Sequence, residues 1–469
     1  MKKNIITGIV LSAIGAVIFY VAQMFLPSLW VVVAILISLI LLGIKDDLYF
    51  IYAILITVFL QYWLTRTLGL FPKPAVWIDE ILLITLMLKI IIVKVIQHTK
   101  WCRTSLDYSL LFLLIIWLSS WIVNRSPILN SLLGLRSFAQ FILFFYLLVQ
   151  LNISEQQKRK IFKFIYIFIL IQIPICIYQL ASWNSKLPYG FDDAGFGLFS
   201  FGASNVLGFI FSCAAVFTFG FFQSEYLSIS IFILLFTLFC VGIVLASANF
   251  AVFLLPLGLG FILFKKLKTN LTKTLIYTLS VIPLFLILFL FASQLSPDVA
   301  TIFKFDSRIQ DQFSEKGTGR FLFSFLTIEK LQNESITPLL GFGPGMYSSS
   351  AGLSLGAPKL NEVLGFREED IGQELDMDAT AVLGELGYLG LLSYLLIFVS
   401  VFIMAFKILK EPIDKFWKSL ALGLFGVTPM MILGAFFYPV WQTPFVAITY
   451  WTIVALLELH AAEKSKISE

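Results

Sequence analysis

Apolar residues run along this chain in blocks of about 15 to 25, without the alternation of a barrel strand, and short polar or basic corners separate the blocks. Blocks of that length suit helices crossing a bilayer, where each helix satisfies its own backbone polar groups. The pattern predicts fourteen spans: residues 5–25, 29–43, 48–64, 82–96, 106–123, 138–151, 161–180, 206–222, 227–246, 250–264, 274–292, 379–406, 420–437 and 445–459. The first block is long and lacks a small-residue cleavage pattern, so it is expected to remain as a helix.

Composition strengthens this picture. The 469 residues are 59% hydrophobic and 13% charged, against about 25% charged in an ordinary soluble protein. With 49 Phe, 16 Tyr and 10 Trp, the chain holds more apolar surface than one water-solvated core can bury. A soluble globular enzyme, a disordered chain and a disulfide scaffold are excluded. The four cysteines show neither disulfide nor metal-ligand spacing, and two histidines, His98 and His460, are all there are.

Lys and Arg in the loops set the expected orientation. With the N-terminus inside, inner loops and tails hold 20 of them, from Lys2 to Lys466, against five in short outer loops: Arg66, Lys73, Arg125, Arg136 and Lys186. Both termini are therefore expected in the cytoplasm. Lys89, deep within a predicted span, either serves a site or snorkels to the nearer surface.

One outer loop differs from all others. Residues 293–378 form an 86-residue polar stretch with seven basic and thirteen acidic side chains, which divides the chain into spans 1–292, this loop, and spans and tail 379–469. A loop this long in a compact protein is functional or disordered. Here residues 321–331 read as an amphipathic interface helix, followed by a Pro and Gly turn.

The run GRFLFSFLTIEKLQNESITPLLGFGPGMY, with LDMDATAVLGELGYLGLL after it, resembles the C-terminal signature of the bacterial O-antigen ligase and polymerase family. Weaker echoes are GLRSFAQFILFFYLL around Arg136 and FGLFSFGASNVLGFI around Asn205. The resemblance implies an all-α, GT-C-like membrane glycosyltransferase of the bacterial cytoplasmic membrane. It would act on its outer face on a polyprenyl-diphosphate-linked glycan, with membrane lipid and other polysaccharide assembly proteins as partners, no nucleic acid and no cofactor.

Such chemistry needs cations for the diphosphate and a base for the acceptor hydroxyl. Arginine binds phosphate oxygens bidentately and stays charged. Arg320 matches the family's Gly-Arg position and Arg136 its other arginine, with Arg308 and Arg66 as helpers; the alternative for each is a solvated or snorkelling side chain. Where ligases of the family carry a histidine, this chain has Asp376. Asp376 and Asp378 are accordingly the candidate bases, with a helix cap or, through the D-x-D string, a metal ligand as alternatives.

Glu385 lies two helical turns beyond Asp378 on the same face, as a site acid or as a packing anchor beside Gly384, Gly387 and Gly390. Gly341, Gly343 and Gly345 either offer N–H groups to a phosphate or simply reverse the chain. Asp192 and Asp193 touch a sugar or are solvated, and Asp79 and Glu80 favour a helix N-terminus.

Loss of the ligase-type histidine favours a polymerase of lipid-linked repeat units over a ligase. The rival class is a lipid-linked oligosaccharide flippase, which fourteen spans would also suit. A flippase needs charge inside a central cavity, whereas this chain gathers its polar residues in one outer loop; no internal repeat marks it as a transporter.

Overall fold

The computed structural model describes residues 27–183, 195–199, 203–246, 248–267, 320–332, 337–350, 352 and 377–468. Among them every regular element is a helix. In chain order these are α1 Pro27–Lys45, α2 Asp47–Tyr62, α3 Ile78–Ile96, α4 Asp107–Asn124, α5 Ile128–Val149, α6 Glu155–Trp183, α7 Ser204–Gln223, α8 Ile229–Leu245, α9 Asn249–Leu267, α10 Arg320–Gln332, α11 Asp378–Ile408, α12 Lys415–Gly434 and α13 Pro444–Ser468. Eight helical stretches are long and apolar enough to cross a membrane, and three shorter apolar helices accompany them. Each of the twelve predicted spans on described residues overlaps a helix; spans 5–25 and 274–292 lie outside those residues.

The described helices fall into two compact units. The first holds α1 to α3 and the start of α6. Asp46 caps α2 by accepting from the Leu48 N–H at 2.9 Å, and α2 ends in a π-helical turn, Trp63–Thr67. Lys89 reaches the α1–α2 corner, where its ammonium meets Asp47 at 2.7 Å and donates to the Gly43 carbonyl at 2.8 Å. It thereby satisfies a carbonyl at the α1 C-terminus that no helical N–H can reach. Asp79 and Glu80 stand in the first turn of α3, where the helix dipole favours negative charge.

The second unit holds the rest. Side chains such as Leu111, Ile115 and Ile122 of α4 are exposed, as expected of helices solvated by lipid rather than water. The central helices α7, α9 and α12 meet instead through glycine. A Cβ on Gly220 would press on the Gly423 backbone, and one on Gly426 on the Gly258 carbonyl. Close backbone approach of this kind supplies the dispersion that holds helices together where hydrocarbon is the solvent.

Two elements differ from the hydropathy reading in ways that matter for the site. Helix α5 begins at Ile128, ten residues before predicted span 138–151, so Arg136 lies well within the helix and not at its outer end. Pro127 opens that helix, where a missing N–H costs nothing, and polar Asn130, Ser131 and Arg136 had depressed the local hydropathy. Helix α11 is 31 residues long and breaks at Gly387, which holds φ 66° and ψ −165°.

Candidate functional site

The pieces of the long loop that the structure describes pack onto α11. Helix α10 presents Ser324 and Thr327, one turn apart, to its neighbours: Ser324 shares a hydrogen bond with Thr380 at 2.8 Å, and Thr327 with the Tyr347 hydroxyl at 2.7 Å. Leu331, Phe342, Tyr347 and Leu383 form a small buried cluster there, with Phe323, Ile328 and Leu391 packed around it. Phe325 points away and is exposed. The amphipathic stretch predicted at 321–331 is thus a helix with one face anchored on α11.

Beyond the short helical turn Thr337–Leu340, the chain crosses Gly341, Gly343 and Gly345, all with positive φ (71°, 110° and 69°). Space demands glycine here as strongly as conformation does. A Cβ on Gly341 would meet the Glu385 backbone, and one on Gly345 the Asn130 carbonyl. From the α5 side, a Cβ on Gly134 would lie 2.5 Å from the Gly345 nitrogen. The turn is therefore wedged between α5 and the first turns of α11.

Glu385 fastens it. Its fully buried carboxyl group accepts from the N–H groups of Gly345 (2.7 Å), Ser349 (3.1 Å) and Tyr347 (3.4 Å). Two further N–H groups of the turn reach α11 backbone, Phe342 to the Gly384 carbonyl at 2.7 Å and Gly343 to the Glu385 carbonyl at 3.1 Å. The Gly387 break belongs to the same arrangement, since a Cβ there would overlap the backbone of Leu339 and Leu340. The Ser120 hydroxyl of α4 lies 2.6 Å from the Leu340 carbonyl and 3.0 Å from that of Glu385, tying a third helix in.

Asp378 is the first residue of α11, and the cap position before it is Met377. Its carboxyl group is fully buried; one oxygen accepts from the Trp441 N–H and the other from the Gln442 amide at 2.9 Å. Gln442 in turn accepts from the Ser350 N–H at 2.8 Å. The seven-residue spacing thus turns both acids toward one loop, Glu385 directly and Asp378 through Gln442. Burial pushes the Tyr347 phenol up to about 12, while its hydrogen bond with Thr327 pulls the other way.

Arg320 opens α10, and Arg136, half-buried, sits two residues past Gly134 and hence away from the helix face that meets the glycine turn. Arg66 is in the first unit, exposed, with its guanidinium 4.8 Å from the Tyr62 ring centroid. Asp376, Arg308, Asp192 and Asp193 lie outside the described residues. Of the two readings for the glycine turn, the N–H groups of Gly343 and Gly345 serve the internal one: both donate to Glu385. Asp378, with both oxygens engaged, acts as a latch on the α12–α13 corner.

Sequence reasoning missed Tyr347, Thr327, Ser120, Gly134 and the Trp441-Gln442 pair. The only local signal was a polar residue or glycine in an otherwise apolar segment. Comparison with protein-family models and with curated proteins returns no match for this chain.

Proposed function

We propose that this chain is a membrane glycosyltransferase that polymerises polyprenyl-diphosphate-linked glycan repeat units on the outer face of the cytoplasmic membrane. The reading rests on the resemblance of its loop motifs to the O-antigen ligase and polymerase family. One structural observation supports it: the Gly-Arg helix, the glycine turn and the E-x-G-x-x-G segment, separate in sequence, pack as one assembly at the start of α11.

In this reading the acceptor sugar hydroxyl attacks the anomeric carbon of the donor, and the bond from that carbon to the diphosphate oxygen breaks. The polyprenyl diphosphate departs with the bonding electrons, and Arg320 and Arg136, helped by Arg308, neutralise its charge. Asp376 takes the hydroxyl proton. Asp378, committed to Trp441 and Gln442, fixes the start of α11.

The test is a reaction in detergent with purified protein and a lipid-linked repeat unit, where no membrane separates two compartments. Polymer should lengthen with wild type and stop with Arg320→Ala and Asp376→Ala, both variants remaining inserted in cells. Full-length polymer from both variants would overturn the site, and an absence of any longer product with wild type would favour transport.

A further inference from the structure

The corner between α4 and α5, Arg125-Ser126-Pro127, rests against the glycine turn. Asn124 donates to the Ser120 carbonyl at 2.9 Å, and a Cβ on Gly343 would strike the Ser126 hydroxyl oxygen. Arg125 ends α4 in the left-handed region, φ 49° and ψ 37°, a conformation that a side chain with a Cβ rarely adopts. It is exposed and makes no ion pair among the described residues.

The backbone of this corner is rich in free donors. Among the described residues the N–H groups of Arg125, Ser126, Ile128, Leu129 and Asn130 make no hydrogen bond, and Pro127 has none to offer. Two acceptors, by contrast, are occupied: the Trp121 indole N–H donates to the Ser126 carbonyl and the Ser131 N–H to the Pro127 carbonyl, each at 3.0 Å. A helical residue followed by a left-handed one turns successive N–H groups to one side, the geometry of an anion-binding nest, and the N-terminus of 22-residue α5 follows at once. No acid stands in the first turn of α5 to answer that positive end. Two hydroxyls flank it, Ser126 at 6% exposure and Ser131 fully buried, neither with a hydrogen-bond partner among the described residues. Helical side chains lean toward the N-terminus, which brings Ser131 over the first turn.

We infer that this corner receives a phosphate of the lipid-linked donor, held between the Arg125 guanidinium and the free N–H groups at the start of α5. A cation and a helix N-terminus repel one another here, and a phosphate between them answers both. Ser126 and Ser131 donate to its oxygens, directly or through water. Ile128 and Leu129, 53% and 60% exposed, place apolar contact for a lipid chain beside the phosphate, an advantage that a soluble phosphate lacks. Naming that lipid a polyprenyl diphosphate rests on the glycosyltransferase reading; the phosphate site rests on the corner itself.

Native mass spectrometry of the full chain in detergent, titrated with undecaprenyl diphosphate, phosphatidylglycerol or inorganic pyrophosphate, tests this. Wild type should retain undecaprenyl diphosphate over the other two. A basic residue at the C-terminus of α4 also complements that helix's dipole, and Arg125→Gly separates the two roles. Glycine adopts the left-handed region freely, so this variant should hold its thermal midpoint while binding undecaprenyl diphosphate about tenfold more weakly. Arg125→Lys should lose less, and Arg103→Gln, at an exposed arginine before the other end of α4, should lose nothing. Undiminished binding in Arg125→Gly would overturn the site, and equal retention of phosphatidylglycerol or pyrophosphate would overturn the lipid diphosphate as its occupant. A wild type that binds through Arg125 yet lengthens no polymer would overturn the glycosyltransferase reading instead and leave the site standing.

Discussion

Replacing Glu385 by glutamine changes one oxygen into an amide NH2 and little else in volume. In the native turn one carboxyl oxygen accepts from Gly345, and the other from Ser349 and Tyr347. A glutamine side chain has one acceptor oxygen, so at least one of these buried N–H groups loses its partner whichever way the amide turns. Each orphaned buried donor costs about 1–3 kcal/mol. Opening of the turn should therefore become easier by about 2 kcal/mol, a roughly thirtyfold rise in local amide exchange. Hydrogen exchange read by mass spectrometry on peptides covering residues 341–350, with peptides from α13 as the reference, measures it. Protection over 341–350 within twofold of wild type would refute the view that the Glu385 carboxyl holds the turn. Glu385→Ala, which removes both acceptor oxygens, orphans all three N–H groups and leaves a void, should lose more than the glutamine variant.

Three further predictions concern the same region. Gly134→Ala places a Cβ against the Gly345 nitrogen and should lower stability by about 1–3 kcal/mol, read as a lower thermal midpoint in detergent. Asp378→Asn leaves either the Trp441 N–H or the Gln442 amide without an acceptor; a lowered midpoint is expected, and an unchanged one would remove Asp378 as a latch. Tyr347 has its folded pKa raised to about 12 from an ordinary value of 10.0, so the unfolded chain loses this proton first. The Tyr347 contribution should therefore be intact below about pH 10 and fade as pH rises toward about 12, and Tyr347→Phe should abolish that alkaline component of the melting curve.

Hydropathy located twelve of the thirteen helices α1 to α13, eight of which are long and apolar enough to cross a membrane, because a membrane-facing segment must be apolar over a length that the bilayer sets. It misplaced the start of α5 for the same reason. Asn130, Ser131 and Arg136 lower the average, yet Asn130 and Gly134 sit against the glycine turn, and a sliding average does not register what a polar side chain faces. The acids at 378 and 385 were visible as charges in an apolar helix, which marks them as partnered or functional. Their partners were not visible: Glu385 meets residues about 40 positions earlier, and Asp378 a pair more than 60 positions later.

The sequence by itself determined the solvent of this protein, its helical class and the polar loop in which a site is sought, because each follows from composition and run length. Tertiary structure alone decided that the glycine turn spends its N–H groups on Glu385, that Asp378 latches the α12–α13 corner, and that Arg125 ends α4 beside the free N–H groups of α5. The physical reason is that irregular backbone buried among helices must find acceptors and donors on other segments. Which segments supply them depends on how the helices pack, and no local pattern encodes it.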